Sequence, residues 1–261
     1  MSTLASYIDH TILKPTTTHI EINKICKEAY EYGFAAVCVP PDYVIAAKEC
    51  IGRWQTTSAL DGYPPMRHVK TATVIGFPFG YSCLKAKLAE VETAMLEGAE
   101  EVDVVIDLIA LKNGNWKFLE DEMRAITEMA HADETLVKVI IESGVLSDDE
   151  IIRCCELYSA IGVDFVKTST GYAEKGATVE AVRLMRQHLP AGVRIKASGG
   201  IRTYAFAKEL IAAGAERLGC SASVDILRGE ASEGTEQAKV PEEGRISDAG
   251  RSSAEAAANG Y

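Results

Sequence analysis

At 261 residues, with 47% hydrophobic and 25% charged side chains, the chain has room for one large domain and the balance of an ordinary globular protein. A net charge of -11 argues against a nucleic-acid surface, because neutralising phosphates needs clustered Lys and Arg. No apolar run approaches the roughly 20 residues that span a bilayer, and the start lacks a basic stretch followed by an apolar core, so a soluble, cytoplasmic protein is expected.

Along the chain, short β-branched runs alternate with amphipathic stretches. Strands are expected over Ile8–Leu13 and Ala35–Val39. A third, Val69–Gly76, precedes a helix that Ser82 can cap, with Leu84, Leu88, Val91 and Met95 on one face and Gly98 as its stop. Strands four and five are expected over Glu101–Asp107 and Val137–Ser143. Ser147 and Glu150 then form a capping box ahead of Ile151, Cys155 and Tyr158. Asp164–Thr170 and Arg194–Ser198 follow, and Thr203 opens a helix bearing Phe206 and Leu210 that stops at Gly214. The eighth strand, Arg217–Ser221, leads into a short helical stretch, Val224–Arg228. Eight strand–helix repeats with short connections predict a single α/β domain over residues 1–228, a closed (β/α)8 TIM barrel rather than an open doubly wound sheet. From Gly229 onward Glu, Gly, Ser and Ala dominate, so residues 229–261 are expected to be a mobile polar tail ending in Tyr261.

Barrel strands alternate between interior and helix layer, and the helix-facing set should be apolar. Val102, Val104 and Ile106 form that set in the fourth strand and send Asp103 inward; Val137, Val139 and Ile141 leave Lys138 and Glu142 on the other face. Lys167 lies opposite Val166 and Thr168, and Lys196 lies between Ile195 and Ala197. The interior should therefore hold Asp103, Lys138, Glu142, Lys167 and Lys196. A purely structural ion network would contain the same residue types. A nucleophilic lysine, however, needs a pKa lowered by desolvation and by a second ammonium, and Lys167 with Lys196 on the adjacent strand supplies both, with Asp103 placed for proton transfer.

Glycine-bearing turns follow three late strands, at Thr170-Gly171-Tyr172, Ser198-Gly199-Gly200 and Gly219-Cys220-Ser221. Together, before a short extra helix, they predict a phosphate cradle. Seven cysteines with no CxxC pair fit a reducing compartment; Cys154 and Cys155 are expected to be one core residue and one surface thiol. The five histidines show no metal-ligand spacing, and His10 is expected to be a satisfied structural residue.

The strings IDHTILKPT, TVIGFPFG, EEVDVVID, KVIIESG, DFVKTSTGY and KASGGIR, in this order, resemble the signature segments of deoxyribose-phosphate aldolases over about residues 8 to 228. The resemblance implies a class I aldolase, a carbon–carbon lyase without cofactor or metal. Such an enzyme reversibly cleaves 2-deoxy-D-ribose 5-phosphate to acetaldehyde and D-glyceraldehyde 3-phosphate. It implies Lys167 as the Schiff-base lysine, Lys196 as its perturbing partner and Asp103 in the proton relay. Gly171, Gly199, Gly200 and Ser221 match positions that hold the substrate phosphate, and Lys138, Thr170 and Tyr261 are accessory candidates. A terminal tyrosine assists proton transfer in some members, while Ala222 stands where some carry a second phosphate-binding Ser. The expected partners are the sugar phosphate and acetaldehyde, with neither nucleic acid nor membrane, and a homodimer or higher homo-oligomer stays open. Alternatives are another lysine-dependent sugar-phosphate lyase or transaldolase barrel, and a non-catalytic barrel that binds a phosphorylated ligand.

Overall fold

The computed structural model describes residues 4–60 and 68–237. Its strands are β1 (Ile8–Thr11), β2 (Ala36–Val39), β3 (Lys70–Ile75), β4 (Glu101–Val105), β5 (Leu136–Ile140), β6 (Phe165–Lys167), β7 (Arg194–Ser198) and β8 (Arg217–Cys220). All pair in parallel and in chain order, and β8 returns to β1, so the expected (β/α)8 barrel is the one observed. Helices α1 (His19–Tyr32), α2 (Val44–Leu60), α3 (Leu84–Leu96), α4 (Leu108–Lys112), α5 (Trp116–His131), α6 (Asp148–Ile161), α7 (Val179–His188), α8 (Tyr204–Ala212) and α9 (Ser223–Gln237) surround it.

Most ladders stop one to three residues before the expected strand ends. In β5 the cause is local: Glu142 takes φ 54° and ψ 57°, a left-handed conformation that ends the extended path. Several residues beyond the regular strands still bond to the neighbouring one, as Ile141 N–H does to Lys167 O and Thr168 N–H to Lys196 O. The Ser147–Glu150 capping box of α6 forms as expected, and Thr18 and Glu21 make a second one on α1. For α3 the expectation is off by one residue. Cys83, not Ser82, supplies the first helical carbonyl, to Ala86 and Lys87 N–H, and its thiol makes no cap bond.

The expected boundary at Gly229 falls inside α9, which continues to Gln237. A Cβ at Gly229 would lie 3.0 Å from Cβ of Tyr204, so this glycine permits close approach to α8 rather than marking a stop. Residues 238–261, including Tyr261, lie outside the described residues.

The main core lies between strands and helices and includes Val102, Val104, Val137, Val139, Ile195 and Ala197. Cys154 and Cys155 both belong to it, which corrects the expected surface thiol: α6 is packed against α5 on one side and α7 on the other. The opposite strand faces enclose a smaller apolar cluster of Ala36, Cys38, Ala72 and Val74. Across the lumen from it stands a wall of charge.

Candidate active site

Register brings the charges together, pairing Asp103 with Lys138 and Lys167 with Lys196 across neighbouring strands. Asp103 Oδ2 accepts from Lys167 Nζ and Lys196 Nζ, each at 2.7 Å, and its Oδ1 accepts from Lys138 Nζ at 2.8 Å. One carboxylate thus gathers three of the expected interior residues. Burial opposes its charge, yet the three ammonium groups outweigh burial and hold its pKa well below the usual carboxylate range.

Three members of the network are not in the expected interior set. Asp9 lies 2.5 Å from Lys196 Nζ and also accepts from Arg217 Nε, while Glu101 pairs with Lys138 at 2.7 Å and Arg217 at 2.6 Å. Glu101 carried a signal, since it is two residues before Asp103 on the same strand face. Arg217 opens a strand otherwise made of Leu, Gly and Cys, and Asp9 neighbours His10, so alternation alone gave no side for either. Glu142, expected with these ions, instead bonds to Thr170 at the mouth.

The lysines differ in consequence. Burial works against charge on Lys196, but Asp103 and Asp9 outweigh it and raise its pKa; Asp103 and Glu101 do the same for Lys138. For Lys167 burial prevails: Asp103 opposes it, Lys196 reinforces it, and the amine falls below its ordinary value. Lys167 is therefore the group in this cluster disposed to lose its proton and attack an electrophile. It also lines a cavity of about 480 Å³ at the C-terminal ends of the strands, together with Thr170, Gly171, Gly199, Gly200 and Ser221.

The glycine turns adjoin one another. Gly171 and Gly199 both have φ 88°, and a Cβ on Gly171 would stand 3.9 Å from Gly199 Cα, so the two backbones pass closely. Within the described residues the N–H groups of Gly171, Gly199 and Gly200 make no hydrogen bond and are open to an anion. Lys138, buried and doubly paired, acts on Asp103 rather than at the cavity wall. His10 bonds Ser223 at 2.9 Å and Glu28 at 2.8 Å, as a satisfied structural histidine does. Among the described residues no group of three His, Cys, Asp or Glu side chains could hold a metal ion.

The family model described as "DeoC/LacD family aldolase" matches residues 3–229. The chain is 45% identical over 226 residues to a deoxyribose-phosphate aldolase of Thermococcus gammatolerans, covering 87% of this chain and 96% of the relative. It is 46% identical over 231 residues to one of Streptococcus gordonii, covering 88% and 98%. Among solved structures, the tetrameric deoxyribose phosphate aldolase of Aeropyrum pernix matches with TM-score 0.75 and 32% identity, over 88% of this chain and 92% of that one.

Proposed function

The chain belongs to the DeoC/LacD aldolase family, and on that premise we propose that it reversibly cleaves 2-deoxy-D-ribose 5-phosphate to acetaldehyde and D-glyceraldehyde 3-phosphate through a Schiff base on Lys167. The observation that carries this reading is the lowered pKa of Lys167 beside an aspartate that two protonated lysines share. In the cleavage direction the free amine attacks C1 of the open-chain sugar, and loss of water gives an iminium. The iminium draws electrons from the C2–C3 bond, which breaks as the C3 hydroxyl gives up its proton. That proton leaves through water held by Asp103 and Lys196, and the same water relay later returns a proton to C2 of the enamine. D-glyceraldehyde 3-phosphate leaves, and the enamine takes a proton at C2 and is hydrolysed to acetaldehyde. Gly171, Gly199, Gly200 and Ser221 hold the phosphate and so fix the reacting carbons against Lys167.

The chemistry needs no resident cofactor, because the iminium is itself the electron sink. Tyr261 is proposed as an accessory proton donor. A homo-oligomer is proposed as well, supported by the tetrameric relative and checked by light scattering. No helix among the described residues is long and apolar enough to cross a membrane. Seven free cysteines support the reducing cytoplasm as its place of work.

Borohydride reduction in the presence of acetaldehyde, with peptide mass mapping, tests the assignment. An ethyl group is expected on Lys167 and on no other lysine, and Lys167→Arg is expected to lose the adduct and turnover together. Aldolase activity in the variant, or an adduct spread over surface lysines, contradicts the mechanism.

A further inference from the structure

Glu142 is the one candidate from the interior set that the proposed mechanism leaves unused. Its backbone is left-handed, which side-chain-bearing residues seldom adopt unless the surroundings demand it. Its buried carboxylate accepts from Thr170 N–H, at 3.2 Å and 3.3 Å to the two oxygens, and Oε2 also accepts from the Thr170 hydroxyl. Because that hydroxyl proton points at Glu142, the oxygen's lone pairs turn toward Tyr172, whose N–H donates to it at 3.0 Å. Tyr172 Oη in turn donates to Leu13 O at 2.8 Å, and its ring meets Phe77 edge-on with centroids 5.4 Å apart.

The loop from Thr170 to Ala177 is thus pinned at its start by Glu142 and at its end by Ala177 N–H, which donates to Ser198 O and Gly199 O at 3.0 Å and 3.1 Å. Gly171, with its unengaged N–H, lies between the two anchors. We propose that Glu142 is the positioning residue of this loop: by fixing Thr170 it aims Gly171 at the phosphoryl end of the substrate. The inference rests on reading the glycine turns as the phosphate site. Glu142 acts on recognition of that end and leaves the reactivity of Lys167 alone.

Glu142→Gln keeps the volume and replaces one acceptor oxygen with a donor that faces Thr170. Steady-state kinetics on 2-deoxy-D-ribose 5-phosphate and on unphosphorylated 2-deoxy-D-ribose read the effect. For the phosphorylated sugar KM should rise about tenfold while kcat stays within about twofold, the pattern of lost uniform binding. For the unphosphorylated sugar kcat/KM should not change, the pH–rate limb should stay in place, and inhibition by inorganic phosphate should weaken with KM. Thr170→Val removes the same bond from the loop side and should give the same split, and Thr170→Ser should restore wild-type values. The double variant should be no worse than either single one. An unchanged KM, equal losses on both sugars or a shifted pH limb overturns the role, and Thr170→Val decides the matter should Glu142→Gln not fold. If the wild type handles both sugars alike and inorganic phosphate does not compete, it is the phosphate-site reading that has failed.

Discussion

Two kinds of buried lysine stand together in the lumen. Lys138 and Lys196 each meet two carboxylates, Glu101 with Asp103 and Asp9 with Asp103 respectively. Lys167 meets Asp103, which both of the others also hold. Burial is common to all three, yet the pKa rises for the first two and falls for the third. Desolvation alone therefore does not make a nucleophile; the share of opposite charge available to each ammonium decides the sign. The lower tier, with Arg217, Asp9 and Glu101, is built for fixed charge, and the mouth for a mobile proton.

Breaking the lower tier should be the larger perturbation. Arg217→Met leaves Asp9 and Glu101 short of a buried counter-charge and should destabilise the fold by about 3–5 kcal/mol, read by urea denaturation. The folded fraction should still form the Lys167 adduct; loss of trapping in folded protein would join the two tiers into one functional unit. Lys196→Leu tests the boundary between them. Asp103 then belongs more fully to Lys167, whose pKa rises, and the acid limb of the pH–rate profile, where the amine is lost to protonation, moves to higher pH. Activity near neutral pH should fall about tenfold for each unit of that movement, and an unmoved limb removes Lys196 from the role.

Stability against pH gives a finer contrast. The folded pKa of Lys167 lies below its ordinary 10.5, so between those values the unfolded chain binds more protons and folding gains as pH rises. The slope is at most about 1.4 kcal/mol per pH unit for one proton, and it should vanish in Lys167→Met. Lys138 and Lys196 have the opposite sign: their contribution is complete below 10.5 and is lost as pH rises from there through their raised folded values. Asp9 and Asp103 are depressed below 3.8 and Glu101 below 4.5, so what they contribute is present above those values and is lost as acid reaches their folded pKa. The smallest expected effect lies outside both tiers. Ser147→Ala removes the capping box of α6 and should lower stability by about 1 kcal/mol, with kcat/KM unchanged.

Asp103, Lys138, Lys167 and Lys196 were legible because each interrupts an apolar run at period two, and a barrel strand leaves an interrupted residue one direction in which to point. The same rule reached Glu142 but not its use: the left-handed turn at that residue takes its side chain out of the ion network and toward the β6 loop. Residues at strand starts were harder to place, since Asp9 and Arg217 have too few neighbours within the strand to fix a phase. The extent of α9 was hidden for another reason. Gly229 looked like a terminator by composition, whereas its missing side chain is what lets α9 lie against Tyr204.

The sum of the lumen charges has a consequence for the covalent chemistry. Three carboxylates, Asp9, Glu101 and Asp103, face three cations that stay protonated, Lys138, Lys196 and Arg217. Lys70 at the rim also stands 3.4 Å from Glu101, and an ammonium at Lys167 adds one surplus positive charge that a free amine does not. An iminium on the same nitrogen carries that same surplus. The iminium proposed on Lys167 thus carries the charge of the protonated amine, and the ions already fixed around that nitrogen face it without rearranging.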